Sequence, residues 1–157
     1  MKHITTTLLI ILVLIIVQSC SNKVDKSDLR IIEGKRIGKY SLSLTKSELD
    51  NLKEVKIDTL HSYYTYTLPD IKIWYDTINK RTNQICAYNN YSGKFRNEIS
   101  INDSLMDLEK IGWFHYQEEN QIYKFRLIRG ITFNVFEQEV INNINHQTIE
   151  AICIKRK

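Results

Sequence analysis

Five short blocks of this chain occur twice, in the same order and at a slowly widening offset. Gly38-Lys39-Tyr40 returns as Gly93-Lys94-Phe95. Leu42-Ser43-Leu44-Thr45-Lys46-Ser47 returns as Ile99-Ser100-Ile101-Asn102-Asp103-Ser104. Tyr64–Leu68 returns as Tyr123–Leu127, and Ile71–Tyr75 returns as Ile131–Val135. Ile85-Cys86 returns as Ile152-Cys153. Alternation of apolar and polar residues is common, so one block means little; the ordered set predicts an internal structural repeat. A unit of about 60 residues buries too little surface to stand well alone, so the two copies are expected to share a core.

Both copies read alike. An alternating segment comes first: Tyr40, Leu42 and Leu44 in one, Ile99 and Ile101 in the other. A short helix follows. Thr45-Lys46-Ser47-Glu48 is a capping box, with Leu49 and Leu52 facing inward. In the second copy Asn102 or Asp103 is the expected cap, Leu105, Leu108 and Ile111 face inward, and Gly112 is the expected left-handed stop. Short strands are expected around Val55–Leu60 and Gly112–Gln117. A hairpin comes next. Pro69-Asp70 turns the first, pairing Leu68 with Ile71, Tyr66 with Ile73 and Tyr64 with Tyr75. Ile128-Arg129-Gly130 turns the second, pairing Leu127 with Ile131, Phe125 with Phe133 and Tyr123 with Val135. Closing strands at Gln84–Tyr88 and Ile149–Lys155 end the units. The expected fold class is α+β: two tandem repeats, each a short helix packed on an antiparallel sheet. Composition agrees with strands over helices, because the chain has only two alanines against 24 isoleucines.

The N-terminus does not belong to this pattern. Lys2 and His3 precede an unbroken aliphatic run from Leu8 to Val17, too short for the roughly 20 residues that span a bilayer. The run ends in Val17-Gln18-Ser19-Cys20, followed by Ser21-Asn22-Lys23. This resembles the lipobox of bacterial lipoproteins: an aliphatic residue three before the cysteine and a small one directly before it. The resemblance implies cleavage before Cys20, acylation of that residue (palmitate among the chains), and anchoring to a bilayer. An ordinary signal peptide with a chance cysteine is the alternative. Ser21 after the cysteine is similar to the sorting context of outer-membrane lipoproteins, which implies a cell outer membrane location facing either periplasm or surface. The expected organisation is therefore a signal peptide over 1–19, a lipidated flexible tether over 20–38, and one domain over 39–157, with repeats at about 39–90 and 93–157.

Charge follows the same division. Between 21 and 40 there are six basic and three acidic residues, whereas 41–157 holds 15 of each. A nucleic-acid surface would concentrate positive charge on the domain, so no nucleic-acid partner is expected. The basic tether suits anionic headgroups or is simply solvated.

The order of elements is similar to the tandem helix-plus-sheet repeats of the beta-lactamase inhibitor protein. The capped segments Leu44-Thr45-Lys46-Ser47 and Ile101-Asn102-Asp103-Ser104 resemble those of outer-membrane-assembly lipoproteins of the SmpA/OmlA type. The resemblance implies a non-catalytic protein-binding role.

Chemistry-bearing motifs are sparse. There is no Cys-x-x-Cys, His-x-x-x-His or Gly-x-Ser-x-Gly, so neither metal, cofactor nor catalytic residue is assigned, and the chain is not expected to be an enzyme. His115 alternates with aromatics as a strand residue does, and Glu118 and Glu119 suit a polar turn. Cys86 and Cys153 hold matching places in the closing strands; they suit either a disulfide or two small buried apolar residues. In the first hairpin, Tyr63, Thr65, Thr67, Lys72, Trp74 and Asp76 share the face opposite Tyr64, Tyr66 and Tyr75. An open face would make Tyr63 and Trp74 the partner-binding residues; the alternative is that the other repeat covers it. Asp58-Thr59-Leu60, Asp76-Thr77-Ile78 and Asp103-Ser104-Leu105 resemble a bacterial O-glycosylation sequon, which implies Thr59, Thr77 and Ser104 as glycan sites; turn and cap chemistry is the alternative. The expected function is a membrane-anchored binding or assembly module of the cell envelope, its partner another envelope protein. The alternative is an inhibitor or immunity-type protein that blocks a secreted enzyme or toxin.

Overall fold

The computed structural model describes residues 29–112, 114–117, 122–125, 129–135 and 147–156. The expected signal segment, Cys20, the expected tether as far as 28, Trp113, Glu118, Glu119 and His146 lie outside the described residues.

The fold is mostly β, which corrects the expectation of an α+β pair of helix-on-sheet repeats. Strands β1 (Ile31–Ile32), β2 (Arg36–Ile37) and β3 (Tyr40–Ser41) form a small antiparallel sheet. Strands β4 (Lys56–Leu60), β5 (Tyr63–Thr67), β6 (Ile71–Asp76), β7 (Arg81–Tyr88), β8 (Phe114–Gln117), β9 (Ile122–Phe125), β10 (Ile131–Asn134) and β11 (Ala151–Lys155) form one continuous sheet. Its order is β4-β5-β6-β7-β11-β10-β9-β8. Each half is a four-strand meander, and the halves meet where β7 pairs β11.

The helical segments are short for identifiable reasons. Helix α1 (Lys46–Asp50) has the capping box: the Thr45 side chain accepts from the Glu48 amide, and Glu48 Oε2 accepts from the Thr45 amide at 2.8 Å. It stops after five residues at Asn51, whose side chain donates to Ser47 O, and it buries only Leu49. The second segment, Leu105–Ile111, is a 3₁₀ helix. Leu105, Leu108 and Ile111 recur every three residues, which is the period of a 3₁₀ helix and not the 3.6 of an α-helix. Its cap is Ser104, whose Oγ accepts from the Met106 amide, and not Asn102 or Asp103. Asp103 instead accepts from the Ser100 amide at 2.7 Å. Gly112 stands at φ 144°, positive but outside the left-handed helical region.

The alternating segments before these helices are not long strands. Only Tyr40–Ser41 pairs in the first copy, and only an isolated Phe95–Ile99 bridge occurs in the second. Leu42, Ile99 and Ile101 are nevertheless buried. Their alternation registers burial, not ladder pairing.

The first hairpin has the expected register, with Tyr64 opposite Tyr75 and Tyr66 opposite Ile73. The second does not: Phe133 faces Tyr123, not Phe125. A slip of two residues leaves every side chain on its original face, so face patterning is blind to it.

One face of the large sheet carries the core. Ile57, Tyr66, Ile73, Ile85, Ile154 and Ile131 line up directly across six strands. Beside that row run Ile71, Ala87, Ile152 and Phe133. Leu49, Leu105, Leu108, Phe95, Ile31 and Ile37 pack over this face. Tyr66 is fully buried, and its hydroxyl donates to Asp50 Oδ1 at 2.7 Å, fixing α1 to the sheet. Ile31 is 3% and Ile37 0% exposed, so the folded body includes residues from 29 onward.

Candidate functional site: the open sheet face

The face opposite the core is built differently. Its central row runs Thr67, Lys72, Cys86, Cys153 and Thr132 across β5, β6, β7, β11 and β10. The next row carries Tyr88, Ala151 and Asn134. Small side chains sit at the centre and larger ones at the margins, where Trp74 and Tyr88 pack against the Cys86, Ala151 and Cys153 cluster. Small floor and tall walls together leave a depression of about 760 Å³. Its lining includes Trp74, Lys72, Tyr88, Asn134 and Glu150.

The walls are held in place. Lys72 Nζ lies 5.2 Å from the ring centroid of Trp74, two residues on along β6, a cation–π contact within that strand. The Tyr88 hydroxyl donates to Leu68 O across the first meander. Burial, with the Asp70 carboxylate second, pushes the Tyr88 phenol above its usual range, so it remains a neutral donor. Gln84 Nε2 reaches Cys86 Sγ at 3.0 Å. Asn134 contributes a buried side-chain oxygen that has no hydrogen-bond donor among the described residues. Glu150 adjoins it, since the Glu150 amide donates to Asn134 O.

Cys86 and Cys153 are joined by a disulfide, their Cα atoms 4.0 Å apart on directly opposed positions of β7 and β11. The floor of the depression is thus a covalent bond across the seam between the two meanders.

Of the two aromatic residues expected to form the footprint, Trp74 lines the depression and is half-buried. Tyr63 is also half-buried, on the same face but nearer the sheet edge, opposite Leu60 and Asp76 and outside the lining. Asp76 is not a surface residue: its carboxylate accepts from the Ile78 and Asn79 amides and from the Asn79 side chain. These bonds, the Asn79 amide foremost, hold it below the usual carboxylate range. It is the clamp of the β6–β7 turn. The three hydroxyl sites are not equivalent. Thr59 is exposed on β4, Thr77 donates to Ser62 O at 2.9 Å, and Ser104 caps the 3₁₀ helix. The structure gives Thr77 and Ser104 turn and cap roles. His115 stands on β8 opposite Lys124. Among the described residues no three His, Cys, Asp or Glu side chains gather as metal ligands.

Sequence reasoning missed Asn134, Glu150 and Tyr88 as members of this site. Gln84, Cys86 and Tyr88 share a face by alternation along β7, so Tyr88 was within reach of the pattern. Asn134 and Glu150 were not, because they reach the depression only through β11 lying beside β7.

Comparison with family models, with curated proteins and with solved structures finds no match to this chain.

Proposed function

We propose that this chain is an envelope lipoprotein, held to a membrane through acylated Cys20, that binds another protein through the open sheet face. The observation that carries this reading is the depression walled by Trp74 and Tyr88 over the Cys86–Cys153 floor. Half-buried aromatics around a depression are what a partner's side chain inserts between, and tryptophan and tyrosine are the residues that most often dominate such contacts. The packing of Trp74 against Cys86, Ala151 and Cys153 adds to this, because a partly ordered wall loses less entropy when a partner docks. Among the described lining residues there is one carboxylate, Glu150, and one ammonium, Lys72, with no histidine and no free thiol. That inventory suits recognition better than acid–base or nucleophilic chemistry.

The test is affinity capture from native membranes with the intact chain and with Trp74→Ala, both checked for folding by circular dichroism. A protein retained by the intact chain and lost with the folded variant supports the reading. Equal retention by both would remove the face from consideration. The identity of the captured protein separates an assembly partner from an enzyme or toxin held inactive. Labelling with palmitate, compared with Cys20→Ala, tests the anchor; an unlabelled parent chain would overturn it.

A further inference from the structure

The strongest unassigned feature is an edge, not a face. All five residues of β4 are exposed, including Ile57 at 47% and Leu60 at 61%. Its outer side pairs with nothing among the described residues. Exposed edges are ordinarily blunted by proline, a bulge or a covering element. β4 has none of these: its five pairs with β5 run in unbroken register and contain no proline, and the one blunting feature it carries is the pair of charges Lys56 and Asp58.

The hydrogen-bond phase of this edge follows from its neighbours. The Leu68 amide donates to Ile71 O, so Leu68, Tyr66 and Tyr64 direct their backbone groups toward β6. Thr67, Thr65 and Tyr63 then direct theirs toward Lys56, Asp58 and Leu60. The N–H and C=O of Ile57 and Thr59 are left pointing outward.

We propose that β4 is the pairing edge of a homodimer, in which a second copy aligns its own β4 antiparallel with the two strands centred on Ile57. Three observations select this occupant and this register. The outward backbone groups of Ile57 meet those of the second Ile57, as a twofold hydrogen-bonded pair requires. Lys56 falls opposite Asp58 of the other copy, twice, so the two charges become complementary pairs. Centring on Asp58 would instead set two carboxylates face to face. The core-side row Ile131, Ile154, Ile85, Ile73, Tyr66, Ile57 runs out at the exposed Ile57, and the second Ile57 continues it. In one copy Lys56 and Asp58 are 3.8 Å apart with both side chains well exposed, an arrangement of little worth by itself. The dimer extends the sheet sideways and leaves the open face free, so it stands apart from the partner reading above.

The test is the mass of the full chain in mild detergent, followed across a concentration series by light scattering. The intact chain is expected to dimerise as concentration rises. Asp58→Lys turns both cross-strand pairs repulsive and is expected to weaken the dimer about tenfold. The double variant K56E/D58K restores opposite charges and is expected to recover it. Ile57→Pro removes an outward N–H without touching the β4–β5 ladder, so it should give a folded monomer. An intact chain that stays monomeric at its highest soluble concentration overturns the proposal. So does a D58K variant that dimerises as well as the parent, or a K56E/D58K variant no better than D58K.

Discussion

Cys86 and Cys153 face each other across the one junction between the two meanders, bonded to one another and separated by 67 residues of chain. Strand order alone makes the β7–β11 pairing the longest-range ladder contact in the sheet. The bond therefore removes unfolded-state freedom where the most is available. On the chain-entropy account, closing a loop of this length contributes about 4 kcal/mol. The Cys86→Ala, Cys153→Ala double variant is expected to lose a stability of that order in urea unfolding under oxidising conditions. An unchanged midpoint would show that the seam holds without its bond.

Phe133 sits under the second half of the core, its ring 5.8 Å from Phe95 in an edge-to-face arrangement. Phe95 in turn bridges to Ile31 of β1. Phe133→Ala empties a fully buried site at the meeting of β10 and the small sheet, and should cost about 3–5 kcal/mol. Calorimetry would show a lowered Tm; a loss within about 0.5 kcal/mol, the surface-substitution range, would contradict the packing described.

Gly93 is required by contact and not by turn geometry. A Cβ there would lie 1.7 Å from the carbonyl oxygen of Leu29, the atom that also accepts the Tyr91 hydroxyl at 2.8 Å. Burial pushes the Tyr91 phenol up to about 12, so it donates throughout the ordinary pH range. Gly93→Ala is expected to displace residue 29 from Tyr91 and to destabilise by about 1–3 kcal/mol. Tyr91→Phe loses only the hydrogen bond and should cost about 1 kcal/mol. Equal, negligible effects of both would mean that the N-terminal strand is not seated as found.

Acid should weaken the fold. Glu48 is held below its ordinary 4.5 chiefly by the Thr45 amide and then by the Thr45 hydroxyl. Asp50 is held below 3.8 chiefly by the Lys46 ammonium and then by the Tyr66 hydroxyl, and Asp76 by the Asn79 amide. A carboxyl whose folded pKa is lowered binds protons more weakly folded than unfolded. Its stabilisation is present above the ordinary values and fades as pH falls through the folded ones. A series of Tm measurements should decline as pH drops past 4.5 and 3.8, and Thr45→Ala should shrink the upper part of that decline. A Tm flat into strong acid would refute the assignment.

The first meander was readable because Pro69-Asp70 fixes both the place and the length of its turn, and register then follows from counting. The second lacks so rigid a marker, and a two-residue slip preserves its faces. Strand positions at β4, β7, β8 and β11 came from alternation and turn residues. The helices were overstated because a capping box reports where a helix starts and says nothing of how far it runs. Leu105, Leu108 and Ile111 fit a three-residue period as well as a helical one. At the site, Trp74 and the cysteines stood out by residue type. Their meeting did not, because it depends on β7 and β11 being neighbours, a relation with no local signature.

The placement of β7 bears on how the chain is made. β4 to β7 are joined by short turns and can pair as soon as they leave the ribosome or a secretion channel. β11 arrives more than sixty residues later. Until then β7 is the unfinished margin of a four-strand sheet, offering Ile85, Ala87 and an unbonded Cys86 to whatever strand or thiol comes near. The vulnerable stage of this molecule's life is that interval, so strand mispairing at β7 and mispaired sulfurs should be greatest in chains truncated before residue 151 and fall once β11 has covered β7 and Cys153 has met Cys86.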